Sequence, residues 1–303
     1  RAPAAAPSPA PPTPPRHGPL LSPFTGEPVR ALEPVIAVKI DNIVTARPQT
    51  GLRSADIVYT LPVEGGLSRF CAVYSSHMPK TIGPVRSARE DDLGLLRQFG
   101  RPGFAYSGAT PHLLPFVQRA RTVDLYASTH PGYRRSSGRV APENLYANPA
   151  SLLAQARKGG ASDAHDIGFR FSAAPPPGGR RVSSVTARYP AARFTFRWSA
   201  SAKRWLTSMD GGTARDTAGG QLGGATVVLQ YTTVTTSRFL EYGKPPPYAD
   251  TTGSGRAVVL RDGRSYDVTW TRPSPGHGTV YKLPSGRRMT FAPGQVWVLF
   301  LQK

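Results

Sequence analysis

Along this chain, apolar residues occur in short blocks of strand length far more often than they recur at helical spacing. Val35-Ile36-Ala37-Val38-Lys39-Ile40 and Asp56-Ile57-Val58-Tyr59-Thr60-Leu61-Pro62-Val63 are nearly continuous apolar runs, and Arg69-Phe70-Cys71-Ala72-Val73-Tyr74 follows soon after. Short runs rich in β-branched and aromatic side chains predict strands, here three before any helix. Ser87 and Glu90 then have the spacing of a capping box, with Asp91 and Asp92 filling a first turn, which predicts a helix over about 88–99. A second helix is expected near Pro111. A third starts at Pro149, with Asn148 as cap and Gly159-Gly160 as stop. Interleaved strands and helices make residues 24–170 a mixed α/β domain.

The pattern changes after a Pro/Gly-rich linker, residues 171–181, that contains Pro175-Pro176-Pro177-Gly178-Gly179. Arg193-Phe194-Thr195-Phe196-Arg197-Trp198, Thr226 to Tyr231, Ala257 to Leu260 and Val296-Trp297-Val298-Leu299-Phe300 read as strands, with turns at Asp262-Gly263, Ser285-Gly286 and Pro293-Gly294. Residues 182–303 are therefore expected to form a mostly antiparallel β domain, and the fold class is α+β. Residues 1–23, rich in Ala and Pro, lack the apolar content to fold and predict an extended tether.

A length of 303 residues and 39% hydrophobic composition support two domains with real cores. The single cysteine, Cys71, excludes a disulfide scaffold and reads as a buried strand residue rather than a nucleophile. The net charge of +20 is shared, with 17 basic and 6 acidic residues in 181–303 and 21 and 12 in the remainder. Such a field favours anionic partners. Because the charge is spread, and no basic helix with interleaved aromatics stands out, nucleic acid is not the expected partner.

The densest chemistry lies between Asp41 and Asn144. Asp41-Asn42, Ala46-Arg47-Pro48-Gln49, Glu64-Gly65-Gly66-Leu67-Ser68-Arg69-Phe70 and Ile82-Gly83-Pro84-Val85-Arg86-Ser87-Ala88-Arg89 place charge, glycine and proline at the ends of predicted strands. Ligands of α/β sheets usually sit at such ends. The expected site comprises Asp41, Asn42, Arg47, Gln49, Glu64, Arg69, Arg86, Ser87, Arg89 and Asn144, with arginine forks suited to carboxylate or phosphate. Two readings of it stay open, an anion-binding cleft and a structural network in which Asp41 and Glu64 pair with the arginines. No Walker-type loop surrounds the glycines, no serine forms Gly-x-Ser-x-Gly, and the six histidines lack zinc spacing, so no cofactor, metal or catalytic residue is assigned.

These motifs resemble the YerB-like family of bacterial cell-surface lipoproteins. The resemblance implies two domains, an extracellular location at the cell surface and no established activity. The chain starts at Arg1, so a signal peptide or lipid-anchored cysteine is expected to precede it, and membrane contact is expected only through that anchor. The segment Ala141-Pro142-Glu143-Asn144 resembles a family loop that reads Pro-His-Asn. Glu143 stands in the histidine's place, so any acid–base role which that histidine plays in relatives is not expected here, and Asn144 and Arg139 are left as donors. The expected function is binding of an anionic cell-wall polymer, a peptidoglycan fragment or an envelope protein. The alternative is an envelope hydrolase or transferase with Asp41 or Glu64 as general acid or base.

Overall fold

The structure is a computed structural model that describes residues 18–303. Up to residue 17, the expected tether lies outside the described residues; Leu21 already bridges to Pro28, and Ser22 is buried. The protein is mostly β. Strands β1 (Ile36–Ile40), β2 (Ile57–Pro62) and β3 (Ser68–Tyr74) form where the apolar runs predict them, and every residue in them is buried. The reason is that their sheet is covered on both faces.

Alternation along β1 sorts its side chains. Val35 and Ala37 face one core, with Cys71, Val73, Leu95 and Phe99, while Ile36, Val38 and Ile40 face a second, with Phe70, Ala72 and Trp297. Lys39 and Asp41 therefore fall on the Ala37 side. Helix α1 (Glu90–Leu96), extended by a 3-10 turn to Phe99, packs on that side. Its start differs from the expected Ser87 cap: the N-cap is Arg89, whose amide donates to Asp92 Oδ2 at 2.7 Å. The acid three residues into the helix closes the turn, whereas Ser87 stands outside it. Strand β4 (Gly103–Tyr106), helix α2 (Leu114–Gln118), strand β5 (Val123–Tyr126) and helix α3 (Pro149–Lys158) follow. Asn148 caps α3 as expected, accepting from the Ala150 and Ser151 amides at 3.0 and 3.3 Å.

The large sheet runs through strands Val280–Lys282, Arg264–Arg272, Gly253–Arg261, Thr226–Thr232 and Val296–Gln302, then β2, β3, β1, β4 and β5. The C-terminal strand Val296–Gln302 lies between Thr226–Thr232 and β2, parallel to both. It is apolar almost throughout, as a strand buried on both faces must be, and this parallel triplet interrupts the antiparallel pattern expected of the C-terminal region. Strands Gly253–Arg261 and Arg264–Arg272 do form an antiparallel hairpin, turned by Asp262 and Gly263 at φ 50° and 68°, the Asp-Gly turn expected from the sequence. Strands Ser184–Tyr189, Ala192–Ser199 and Arg204–Met209 make a second, antiparallel sheet whose Phe194, Phe196 and Trp205 join the second core. Residues 171–181 do not stand apart from the fold. Phe171 bridges Phe291, and Arg181 pairs with Arg264. Among the described residues, no helix is long and apolar enough to cross a membrane.

Candidate functional site

Strands Thr226–Thr232, Val296–Gln302, β2, β1, β4 and β5 point the same way, so their C-terminal ends share one edge of the sheet. Asp41 is the first residue past β1, Glu64 follows β2, and Arg69 is the second residue of antiparallel β3, at that same edge. The segment carrying Arg86, Ser87 and Arg89 crosses this edge. It is held by Arg86 N–H to Lys39 O at 2.8 Å, Ser107 N–H to Arg86 O at 3.0 Å and Ala88 N–H to Gly108 O at 2.8 Å.

Seven of the expected residues meet in one network. The Asp41 carboxylate, fully buried, accepts from Arg86 Nε at 2.7 Å and from the Asn42 amide at 2.9 Å, and Arg69 Nε lies 3.7 Å away. Ile40 pairs with Phe70, which places Asp41 beside Arg69. Arg69 also donates to Ser87 O at 3.3 Å. Asn42 Oδ1 accepts from Gln49 Nε2 at 2.9 Å and Arg47 Nε at 3.2 Å, and Arg47 reaches on to Asp210 Oδ2 at 2.8 Å. Burial, together with the like charge of Arg89, pulls the Arg69 guanidinium down to about 10, against the opposing pull of Asp41.

Glu64 and Arg89 form a separate pair, two bonds of 2.6 and 3.0 Å in the fork geometry. Arg89 also meets Glu241 at 3.3 Å, an acid contributed by the loop joining strands Val234–Thr236 and Pro247–Ala249. Burial raises the Glu64 carboxyl, but the hydrogen bonds and charge of Arg89, with Arg69 behind it, outweigh this and hold it below the usual range. Asn144 sits apart. It accepts from Arg135 at 2.6 Å and donates to Ser136 O and Arg139 O, organising its own loop, while Arg139 ties that loop to Ala46 O and Pro48 O.

Of these residues, Glu64 borders the larger opening on this edge. A groove of about 690 Å³ runs between the Pro62 to Gly66 turn, Tyr189-Pro190, Val234 to Thr236, Lys244 to Pro247 and Phe300. Arg47 and Gln49 line a smaller groove of about 410 Å³ against Met209 and Asp210. Because Glu64's stabilising charge pair is present above its unfolded pKa and lost as pH falls through its depressed folded value, E64Q is expected to cost about 1–2 kcal/mol at pH 7, partial exposure screening the pair, and progressively less as the pH is lowered through that folded value. Urea midpoints of the variant and the unaltered protein along a descending pH series check this; a deficit that does not shrink with acidification would refute it.

The expected residue set misses several charged groups. Lys39 Nζ meets Asp92 Oδ1 at 2.6 Å with both side chains fully buried. The signal was present, since a lysine in the middle of an apolar strand must find an anion on the face its alternation assigns. Asp91, also buried, has its carboxyl pushed up by burial and by Asp92 against the pull of Lys39. Glu90 binds Ser237 and Arg238 rather than serving only the helix end. Cys71 is buried in β3 as expected, and burial pushes its thiol up.

The two halves of the chain match two family models described as the N-terminal and C-terminal domains of a protein of unknown function, DUF3048, over residues 24–162 and 185–298. The chain belongs to this family. It is 25% identical over 292 residues, 92% of this chain and 85% of the relative, to the protein named "Putative lipoprotein YerB" of Bacillus subtilis (strain 168). The crystal structure of YerB from Bacillus subtilis superposes with a TM-score of 0.79 at 22% identity, covering 94% of this chain and 97% of that one, so the two share a fold. In that two-domain family frame, the edge bearing Glu64 and Arg89 lies in the N-terminal match, and Tyr189, Val234 and Lys244, across the groove, lie in the C-terminal one.

Proposed function

We propose that this protein is a cell-surface binding protein of the envelope, held by an N-terminal anchor, that takes an anionic, cell-wall-derived ligand such as a peptidoglycan peptide in the groove beside Glu64. The observation that carries this reading is the construction of that groove. Its volume falls in the range of small-ligand sites, its walls are largely apolar, and its few polar side chains converge from both halves of the chain. Arg188 and Lys244 are exposed cations on its walls, and Glu64 is immobilised by the fork of Arg89. Pro62, Pro190 and Pro245 to Pro247 stiffen the lining, which lowers the ordering cost of binding. The buried Asp41 network behind the edge serves as scaffold, positioning the turn that carries Glu64.

Binding is favoured over hydrolysis or group transfer for a specific reason. A general acid or base works best with a pKa near the operating pH. The Arg89 pair drives Glu64 away from neutrality, and Asp41 is enclosed by two arginines and an amide. The surface location is supported by the Bacillus subtilis relative, which is named "Putative lipoprotein YerB". The test is sedimentation with purified peptidoglycan and calorimetry with its soluble stem peptides. The unaltered protein should bind, and the R188E/K244E double variant should bind at least about tenfold more weakly, two charge reversals each costing on the order of 1 kcal/mol. Absence of binding by the unaltered protein, or equal binding by both, overturns the reading.

A further inference from the structure

The opposite edge of the sheet carries another cleft, of about 480 Å³, where β2 and the C-terminal strand begin. Its floor holds Asp56, only 1% exposed and the residue immediately before β2. The amides of Ser75 and Ser76 both donate to its Oδ2, at 2.7 and 2.9 Å, and the Ser76 hydroxyl lies close to the carboxylate as well, so Oδ1 is the oxygen without a backbone donor and the one placed to carry a proton or meet a ligand. Arg53, Lys203 and Arg204 stand on the same walls with Glu27 and His77. Arg204 is anchored to Gly223 O and to Gln295 Oε1 at 3.1 Å, and Gln295 is itself fixed by bonds of 2.7 Å to Leu52 O and Ala55 O. Arg53 is anchored to Gly219 O at 2.9 Å. The two guanidinium groups are close enough that Arg53 adds to burial in lowering Arg204, with Glu27 opposing. Cations gathered by separate loops onto one cleft, whose lining also includes a buried carboxylate, make a preformed place for negative charge.

We propose that this cleft is a proton-linked anion site, in which Arg53, Lys203 and Arg204 hold a tetrahedral oxyanion and protonated Asp56 donates to it through Oδ1. No covalent step is involved: one proton is taken up from solvent as the anion enters. An ionised Asp56 opposes a second negative charge, whereas the neutral acid offers a donor. Burial pushes the Asp56 carboxyl up to about 6, against the Ser76 and Ser75 amides and the charge of His77, so the proton is gained in the mildly acid range. The charged side chains lining the cleft with Asp56 are Glu27, Arg53, His77, Lys203 and Arg204; of these His77 acts on its charge, and the buried Tyr74 hydroxyl behind it feels the Asp56 charge in turn. Only His77 among them belongs to the residue type that ordinarily changes charge near neutrality.

Calorimetric titration of the full chain with sodium sulfate, at constant ionic strength and at pH 5.5 and 7.5, tests this. If only the protonated form binds, the apparent Kd should be about 25-fold weaker at pH 7.5 than at pH 5.5. D56N keeps an acceptor for the two amides and presents a permanent donor, so it should bind sulfate at pH 7.5 about as tightly as the unaltered protein does at pH 5.5. A misfolded variant cannot produce such a gain. R53Q/K203Q should weaken binding at least about tenfold at both pH values, each lost cation removing on the order of 1 kcal/mol of attraction. Absence of saturable sulfate binding overturns the proposal, as does a pH dependence that survives in D56N but disappears in H77Q.

Discussion

Lys39→Met is expected to lower the unfolding free energy by about 3–5 kcal/mol, the range found when one partner of a buried ion pair is removed. Lys39 and Asp92 are fully buried, and Lys39 is the cation that offsets both Asp92 and its neighbour Asp91. Methionine fills similar space but strands two carboxyls beneath α1. Asp91, already pushed up by burial and by Asp92, loses the cation that pulls it down, so its folded pKa rises further above the unfolded one. Stability from this group is intact below the unfolded value and lost as pH rises through the folded one, which makes the deficit largest at alkaline pH and smallest in acid. K39M/D92N should recover most of the loss at neutral pH, because the carboxamide oxygen introduced by the second substitution can still accept from the Arg89 amide in place of Asp92 Oδ2. Urea unfolding across pH 4–9 provides the measurement. A K39M deficit below about 1 kcal/mol, or one insensitive to pH, would show that the pair is dispensable.

A still larger effect is expected on cutting the chain between its two family domains. Residues 18–170 expressed alone should not fold cooperatively. Removing the remainder strips Val296–Gln302 from β2 and exposes the paired backbone from Ile57 to Thr60 as an open, apolar edge. It also uncovers the second core, where Phe70 packs against Phe194 and Trp297 with ring centroids 6.1 and 5.6 Å apart. With each large buried side chain contributing about 1.5–3 kcal/mol, losing the cover of even four or five exceeds the net stability of a typical domain. Near-UV circular dichroism and thermal melting of the fragment would test this, with the full chain unfolding in a single transition. A fragment that melts cooperatively within a few degrees of the full chain would refute the dependence.

That dependence also explains what sequence reading could reach. The near-continuous apolar runs around β1 and β2, the Asn148 cap of α3 and the Asp262-Gly263 turn rest on local rules and are found where those rules put them. The Ser87 cap fails because Glu90 is drawn off to Ser237 and Arg238, while Asp92 has the geometry that reaches the Arg89 amide. Asp41, Arg69 and Arg86 could be grouped by type and position. Whether Asp41 is exposed depends on Arg86, 45 residues away along the chain, closing over it.

Asp56 shows the same limit from the other side. At the front of an apolar run it reads only as a strand boundary, and its environment comes from Ser75, Ser76, Arg204 and Gln295, drawn from both halves of the chain. The sequence by itself determined many of the strand and helix segments, though not Gly103–Tyr106, Val123–Tyr126 or Arg264–Arg272, together with the two-part organisation and the family, because periodicity, caps and turns act over a few residues. Only the tertiary structure decided that one sheet runs through both parts, which carboxylates are neutralised and where the grooves open. Those outcomes depend on pairing between distant strands and on the desolvation of charges, neither of which a local pattern contains.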